Sequence, residues 1–279
     1  MVRRDVAPED VVAHAVSLSA GVDELWVVED LPFAGGISQM TAILQATSDV
    51  VVGLGIAPAA FRTAAGTAME WAALERLYPG RVACGLGHGV QTWMGQLGER
   101  VDSPLTLLRE TCDVVRALLA GERVDVAGRY VTASDVQLEF PPAEAPLVSL
   151  GVLGPKSLEL SGEVADGTVL CEAHGPTEIA AALEQIEAGR TAGGRTNVHR
   201  ITVYAAFHVG DEGDIVRNPD APVGWEAVDA DPSVVATQLA TLYGAGAHSV
   251  VLVPLATNPV AALEAAVTTV IPELRKRIV

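Results

Sequence analysis

The chain has 279 residues, 49% of them hydrophobic, and a formal net charge of −17. That length is enough to close one large core, and so acidic a chain argues against nucleic acid or an anionic membrane as partner, since both are held by clustered Lys and Arg. Only Lys156 and Lys276 are lysines, which leaves Schiff-base chemistry almost nothing to work with.

Cys84, Cys112 and Cys171 stand apart with no CxxC pair, the usage of a reducing, cytoplasmic setting rather than a disulfide framework. The start, MVRRDVAPEDVV, lacks an apolar signal core, and no run approaches the ~18 apolar residues of a membrane span. The expectation is a cytoplasmic protein with no membrane or nucleic-acid partner.

In chain order, short Val-, Leu- and Ile-rich runs alternate with amphipathic helical stretches. A short strand near Val2–Arg4 is followed by a helix over Pro8–Ser19 and strands at Glu24–Val28 and Val50–Gly55. A helix over Thr63–Tyr78, a strand at Arg81–Gly85, a polar loop at Gln91–Ser103 and a helix over Pro104–Ala120 come next. The segment Glu122–Thr132 reads as a hairpin around Ala127 and Gly128. Strands at Leu147–Gly151, Thr168–Cys171, Ile201–His208 and His248–Pro254 follow, with a helix beginning near Pro155, an irregular polar stretch at Asp211–Asp231 and a final helix over Pro259–Arg277. Pro or Thr stands near most helix starts, and Gly21, Gly80 and Gly121 are placed to end helices at positive φ. Eight strands at even spacing, with no second compositional block, point to an α/β chain forming a single (β/α)8 TIM barrel over residues 1–279 rather than an open doubly wound sheet.

Active sites of such barrels lie at the C-terminal strand ends. There stand Glu29 and Asp30, adjacent, so that at most one faces the mouth as an acid or base. The run Gly85-Leu-Gly-His-Gly89 offers backbone that a cofactor could approach, or simply a tight turn. Gly151-Val-Leu-Gly-Pro-Lys156 leads into a helix whose free N–H groups favour an anion, though Pro there is also ordinary helix punctuation. His88 and His174, each at a strand end, could orient or protonate a substrate or be structural. Glu172, His174 and Trp93 are the candidate substrate contacts. The same carboxylates and imidazoles could serve a metal-dependent barrel hydrolase, but no HxH or HExxH cluster supports a metal site.

These loops carry a resemblance. DELWVVEDLPFAGG, VVGLGIAP, LERLYPGRVACGLGHGVQTWMGQLG, LVSLGVLGPKSLELSGEVADGTVL and HRITVYAAFHVG together resemble the bacterial-luciferase-like superfamily, and within it the branch that uses coenzyme F420. The resemblance implies a luciferase-like barrel holding F420, or alternatively FMN, at its mouth, and an oxidoreductase that moves hydride to or from a small organic substrate. It places Gly55 and Ile56 at a bulged strand end with a non-prolyl cis peptide. Gly87, His88 and Gly89 would lie along the ring and ribityl chain. The Gly151, Val152 and Leu153 loop would lead to a phosphate segment at Gly154, Pro155 and Lys156. An FMN-dependent monooxygenase and a non-catalytic flavin-binding protein are the alternatives it leaves, and relatives are often homodimers.

Three departures stand out. Many deazaflavin-dependent relatives have Asp-His after the second strand, where this chain has Glu29-Asp30, so Asp30 takes the histidine's place as candidate proton donor or acceptor. The alternative is solvent as the proton source, with the carboxylates in polar contacts to ring or substrate. His174 falls where some sugar-phosphate-oxidising relatives have a phosphate-binding lysine. Relatives also open with a fuller first strand, so a shortened barrel edge or a late start is expected here.

Overall fold

The computed structural model describes residues 1–217 and 224–278. In order, the elements are α1 (Pro8–Ser19), β1 (Glu24–Val27), α2 (Gly36–Ala46), β2 (Val51–Pro58), α3 (Ala64–Leu77), β3 (Val82–Gly87), α4 (Gln91–Leu97) and α5 (Pro104–Leu119). There follow β4 (Val124–Ala127), β5 (Thr132–Val136), β6 (Val148–Gly151), α6 (Pro155–Val164), β7 (Gly167–Leu170), α7 (Pro176–Ala192) and β8 (Arg200–Val209). The chain closes with β9 (Glu226–Asp229), α8 (Pro232–Gly244), β10 (Ser249–Pro254), α9 (Pro259–Thr268) and α10 (Val270–Arg275).

The helix starts are written locally. Six helices have Pro in their first turn, where its missing N–H costs no intrahelical bond. Thr63, Ser103, Asp231 and Asn258 cap four helices by accepting from the N–H groups of Gly66, Thr106, Ser233 and Ala261.

The parallel strands run in the order β1-β2-β3-β6-β7-β8-β10. Between β10 and β1, the Met1 amino group donates to the Leu252 carbonyl and the Val2 N–H donates to the Trp26 carbonyl, each at 2.8 Å. Met1 and Val2 therefore fill the eighth place and close a (β/α)8 barrel. The expected strand over Val2–Arg4 shrinks to this short stretch because the chain turns there, with Val6 N–H donating back to Arg3.

The expected polar loop at Gln91–Ser103 begins instead as α4, in which only Met94 is buried, so its sequence reads as polar. The final helix is two, broken at Thr269. The hairpin turns over 128–131, where Gly128 N–H donates to Val131 and the Glu110 carboxylate accepts three further backbone N–H groups, rather than at Ala127 and Gly128. Gly80 and Gly121 have positive φ, at 72° and 80°. Gly21 does not; a Cβ there would stand 2.1 Å from Val267 Cγ1, so the position is small for packing.

One strand was not expected. β8 gives one edge to β10 over Thr202–Phe207, and its other edge to β7 over Arg200–Val203 and then to β9 over Ala206–Val209. β9 therefore sits beyond the end of β7, at the barrel mouth.

The larger core lies between helices and sheet and includes Met40, Ile43, Trp71, Leu108 and Leu239. A second cluster packs Trp26 of β1 against Val169, Tyr204, Val251 and Val253 of β7, β8 and β10, and so fills the barrel interior. Trp26 and Tyr204 meet edge to face at 6.0 Å between ring centroids. The glycines of β2 make room for them: a Cβ on Gly53 would stand 2.4 Å from the Trp26 ring, and one on Gly55 1.9 Å from the Tyr204 hydroxyl. Among the described residues no helix is long and apolar enough to cross a membrane.

Candidate active site

Above the Trp26–Tyr204 layer, a cavity of about 750 Å³ opens at the C-terminal ends of the strands. Val169, Tyr204, Ala206 and Val253 form its apolar base. One wall is the end of β2, where the pairing with β3 shifts register between Leu54 and Ala57 and the Gly55–Ile56 peptide is cis. The Tyr204 hydroxyl donates to the Gly55 carbonyl at 3.4 Å.

The glycines of the next two strands serve this wall from within the protein. A Cβ on Gly85 would stand 2.4 Å from the Leu54 carbonyl oxygen, one on Gly87 2.7 Å from Ile56 Cδ1, and one on Gly151 2.4 Å from Ile56 Cγ2. Gly87 was expected along a cofactor ring, but it does not line the cavity; the room it leaves is taken by Ile56. Gly55, Ile56, His88, Gly89, Gly151, Val152, Leu153 and Gly154 do line it.

At one end the cavity reaches the start of α6. His88 Nε2 and the Ser157 hydroxyl are hydrogen-bonded at 3.1 Å, and both face the cavity. Burial pushes the His88 imidazole below its ordinary pKa, toward the neutral form. A Cβ on Gly154 would meet nothing within 4 Å, so this end is open to a ligand. Pro155 and Lys156, expected as cofactor contacts, are exposed and lie off the cavity wall; Ser157, one residue on, is the side chain that faces in.

The opposite side is acidic. Glu29, expected as a catalytic candidate, is turned away: its carboxylate takes both Arg62 Nη1 and Nη2 at 2.6 Å and the Gly36 N–H at 3.0 Å, and it is buried among them. Asp30 lines the cavity and pairs with Arg4 at 3.1 Å. Burial raises the Asp30 pKa, with the Arg4 bond opposing. Arg4 itself lies 5.1 Å from the Phe33 ring centroid and 5.9 Å from that of Trp93, and Trp93 also lines the cavity. Glu172 completes this side, its pKa raised by burial and then by the charge of Asp30. His174 is off the cavity wall and donates from Nδ1 to the Cys171 carbonyl at 3.1 Å. The neighbouring Cys171 thiol is pushed up to about 12 by burial, so it supplies no thiolate.

Tyr204, Ser157, Arg4, Arg217 and Trp225 also line the cavity and were not singled out from sequence. Tyr204 had a local signal, a polar aromatic in an otherwise apolar strand. Trp225 had none, because it reaches the mouth through the pairing of β9 with β8. Among the described residues no group of three or more His, Cys, Asp and Glu side chains could hold a metal ion.

The family model for luciferase-like monooxygenase matches residues 4–218. The 5,10-methylenetetrahydromethanopterin reductase of Methanolobus tindarius is 31% identical over 201 residues, 71% of this chain and 61% of that protein. The F420-dependent hydroxymycolic acid dehydrogenase of Mycobacterium tuberculosis is 29% identical over 268 residues, 82% of this chain and 72% of that one. The chain spans 61% and 60% of the lengths of the methanopterin reductases from Methanolobus tindarius and Archaeoglobus fulgidus. Among solved structures, an F420-dependent secondary alcohol dehydrogenase in complex with an F420–acetone adduct has a TM-score of 0.86 at 19% identity, covering 97% of this chain and 96% of that one. The F420-dependent tetrahydromethanopterin reductase from Methanopyrus kandleri gives 0.83 at 19% identity, covering 98% and 97%. These structural likenesses speak for the fold, and the match over residues 4–218 speaks for descent: the chain belongs to the luciferase-like monooxygenase family.

Proposed function

We propose that this chain is a coenzyme F420-dependent oxidoreductase that moves hydride between the deazaflavin and a small organic substrate. The observation that carries the reading is the cavity itself. Its volume of about 750 Å³ suits a cofactor with a substrate beside it, its base and one wall are apolar or plain backbone, and one end opens on the start of α6. The F420-dependent enzymes among the relatives favour the deazaflavin over FMN.

The residues present fit such a group. Ile56, Gly151 and Val152 would flank a planar ring, His88 and Gly89 its side chain, and Gly154 and Ser157 a phosphate. Bound there, the deazaflavin supplies a carbon that donates or accepts hydride. The protein's own part is to orient and to keep dry. Tyr204, Val169 and Val253 exclude water from below. His88, shifted by burial toward its neutral form, would sit beside the cofactor's side chain. The Arg4–Asp30 pair and Glu172 give the substrate side its polarity. The three unpaired thiols support a reducing, cytoplasmic setting.

The reading is tested by following the absorbance of reduced F420 under anaerobic conditions with a panel of ketones, imines and enones. Oxidation of the cofactor by at least one class supports it. Binding without oxidation across the panel would favour a carrier, and oxygen-dependent turnover with reduced FMN alone would favour a monooxygenase.

A further inference from the structure

The turn after β7 carries a carboxyl group, Glu172, held in the cavity by its backbone. His174 donates from Nδ1 to the Cys171 carbonyl at 3.1 Å, closing the turn across Glu172. Ala173 is in the left-handed region at φ 86°, a conformation that residues with a Cβ rarely adopt. It persists because Ala173 also pairs as an antiparallel bridge with Trp225. Three constraints thus fix one residue.

The arginines around Glu172 in the wall are matched. Arg4 pairs with Asp30, Arg3 with Asp5 and Arg217 with Glu226. Among the described residues no side chain hydrogen-bonds the Glu172 carboxyl; its own backbone N–H partly opposes the effect of burial on it. Burial without a side-chain partner shifts this carboxyl toward its neutral acid form.

We propose that Glu172 is the acid–base catalyst of this cavity and that His174 is its positioning residue, an inference that rests on the hydride-transfer reading above. As a carbonyl carbon gains hydride from the reduced deazaflavin, the π pair moves to oxygen. The Glu172 O–H bond breaks and a new O–H bond forms on the substrate. The substrate is reduced by two electrons, the deazaflavin is oxidised by two, and the Glu172 carboxylate regains its proton from solvent at the mouth. In the reverse direction the carboxylate takes the alcohol proton as hydride leaves.

The surroundings agree. Burial, then the Asp30 charge, raises Glu172, while its own backbone N–H, the Met1 amino group and Arg4 pull it down; burial in turn lowers the Met1 amino group from 8.0 to about 5. Tyr204, which also faces this group, is pushed well up by burial and stays a neutral phenol. Asp30 accepts directly from Arg4 and so is the member of the carboxyl pair better held as the anion.

Infrared titration of the whole protein tests the assignment without cofactor, through the C=O stretch of protonated carboxyl groups. A band that persists above the ordinary carboxylate range is expected in wild type, lost in Glu172→Gln, and kept in Asp30→Asn at lower pH. A band lost in Asp30→Asn but kept in Glu172→Gln, or no such band, would overturn the proposal. With reduced F420 and a responsive carbonyl compound, Glu172→Gln should lower kcat roughly 10²–10⁴-fold with the F420 Kd unchanged. His174→Phe should lower kcat and displace the pH profile, and His174→Asn, which restores a donor, should recover both; an unmoved profile would refute the positioning role. Wild type that binds no F420 would overturn the hydride-transfer reading instead, leaving the infrared band to decide which carboxyl holds the proton.

Discussion

Ile56 and Gly151 share a space that only one of them can fill: a Cβ on Gly151 would stand 2.4 Å from Ile56 Cγ2. The side chain at the cis peptide of β2 therefore lies over a strand two places along the sheet, and the glycine there is the condition for its position. Gly151→Ala should destabilise the fold by about 1–3 kcal/mol through overpacking. Ile56→Ala in the same chain should relieve most of that loss. Urea midpoints of the two single variants and the double variant check this, and an equal loss in both backgrounds would place the clash elsewhere.

Glu29 is a structural carboxylate. Arg62→Ala leaves it buried with the Gly36 N–H as its remaining donor. Breaking a buried pair costs about 3–5 kcal/mol, and the partial exposure of Arg62 brings the expected loss to roughly 2–4 kcal/mol. Thermal unfolding should show it, while the F420 affinity of the folded variant stays within about twofold, well under the tenfold that about 1.4 kcal/mol represents.

His199 should make stability depend on pH. The Ser161 hydroxyl donates to the Gly167 carbonyl, so it accepts from Thr168, which in turn accepts from His199 Nε2 at 2.8 Å. Burial, with Arg190 and Arg195 next, lowers the His199 pKa from 6.5 to about 4. The unfolded chain binds the extra proton across that window, so this stabilisation is complete above about pH 6.5 and is lost as pH falls toward 4, up to about 3 kcal/mol. His199→Gln should flatten the difference in urea midpoint between pH 7 and pH 5; an unchanged slope would assign the dependence to other groups.

At the start of α6, Ser157 faces the cavity and Lys156 does not. Ser157→Ala should weaken F420 binding about tenfold, the scale of one hydrogen bond to a charged group. Lys156→Ala should have a smaller effect that fades with salt, as screened surface charges do. Fluorescence titrations at two ionic strengths check both, and a larger effect from Lys156 would move the phosphate contact outward.

The barrel was legible because its signals are local: apolar runs at strand spacing, Pro at helix starts, and Gly at the ends of α3 and α5. What escaped depended on distant partners. Asp30 and Glu29 look alike in sequence until Arg62, 33 residues on, claims one of them. The glycines of GLGHG show that space is needed there without showing that Ile56 takes it. β9 is four residues with no apolar period, so Trp225 reaches the mouth unannounced. α4 buries one residue, Met94, too little to mark a helix by its apolar stripe.

The central claim is that the cavity holds a deazaflavin, and equilibrium titration with oxidised F420, read by cofactor fluorescence and set beside FMN, tests it most directly. Saturable one-to-one binding of F420, tighter than that of FMN and weakened by Ser157→Ala, is the expected result. Saturable binding of FMN with none of F420, or no binding of either to the folded protein, would contradict it.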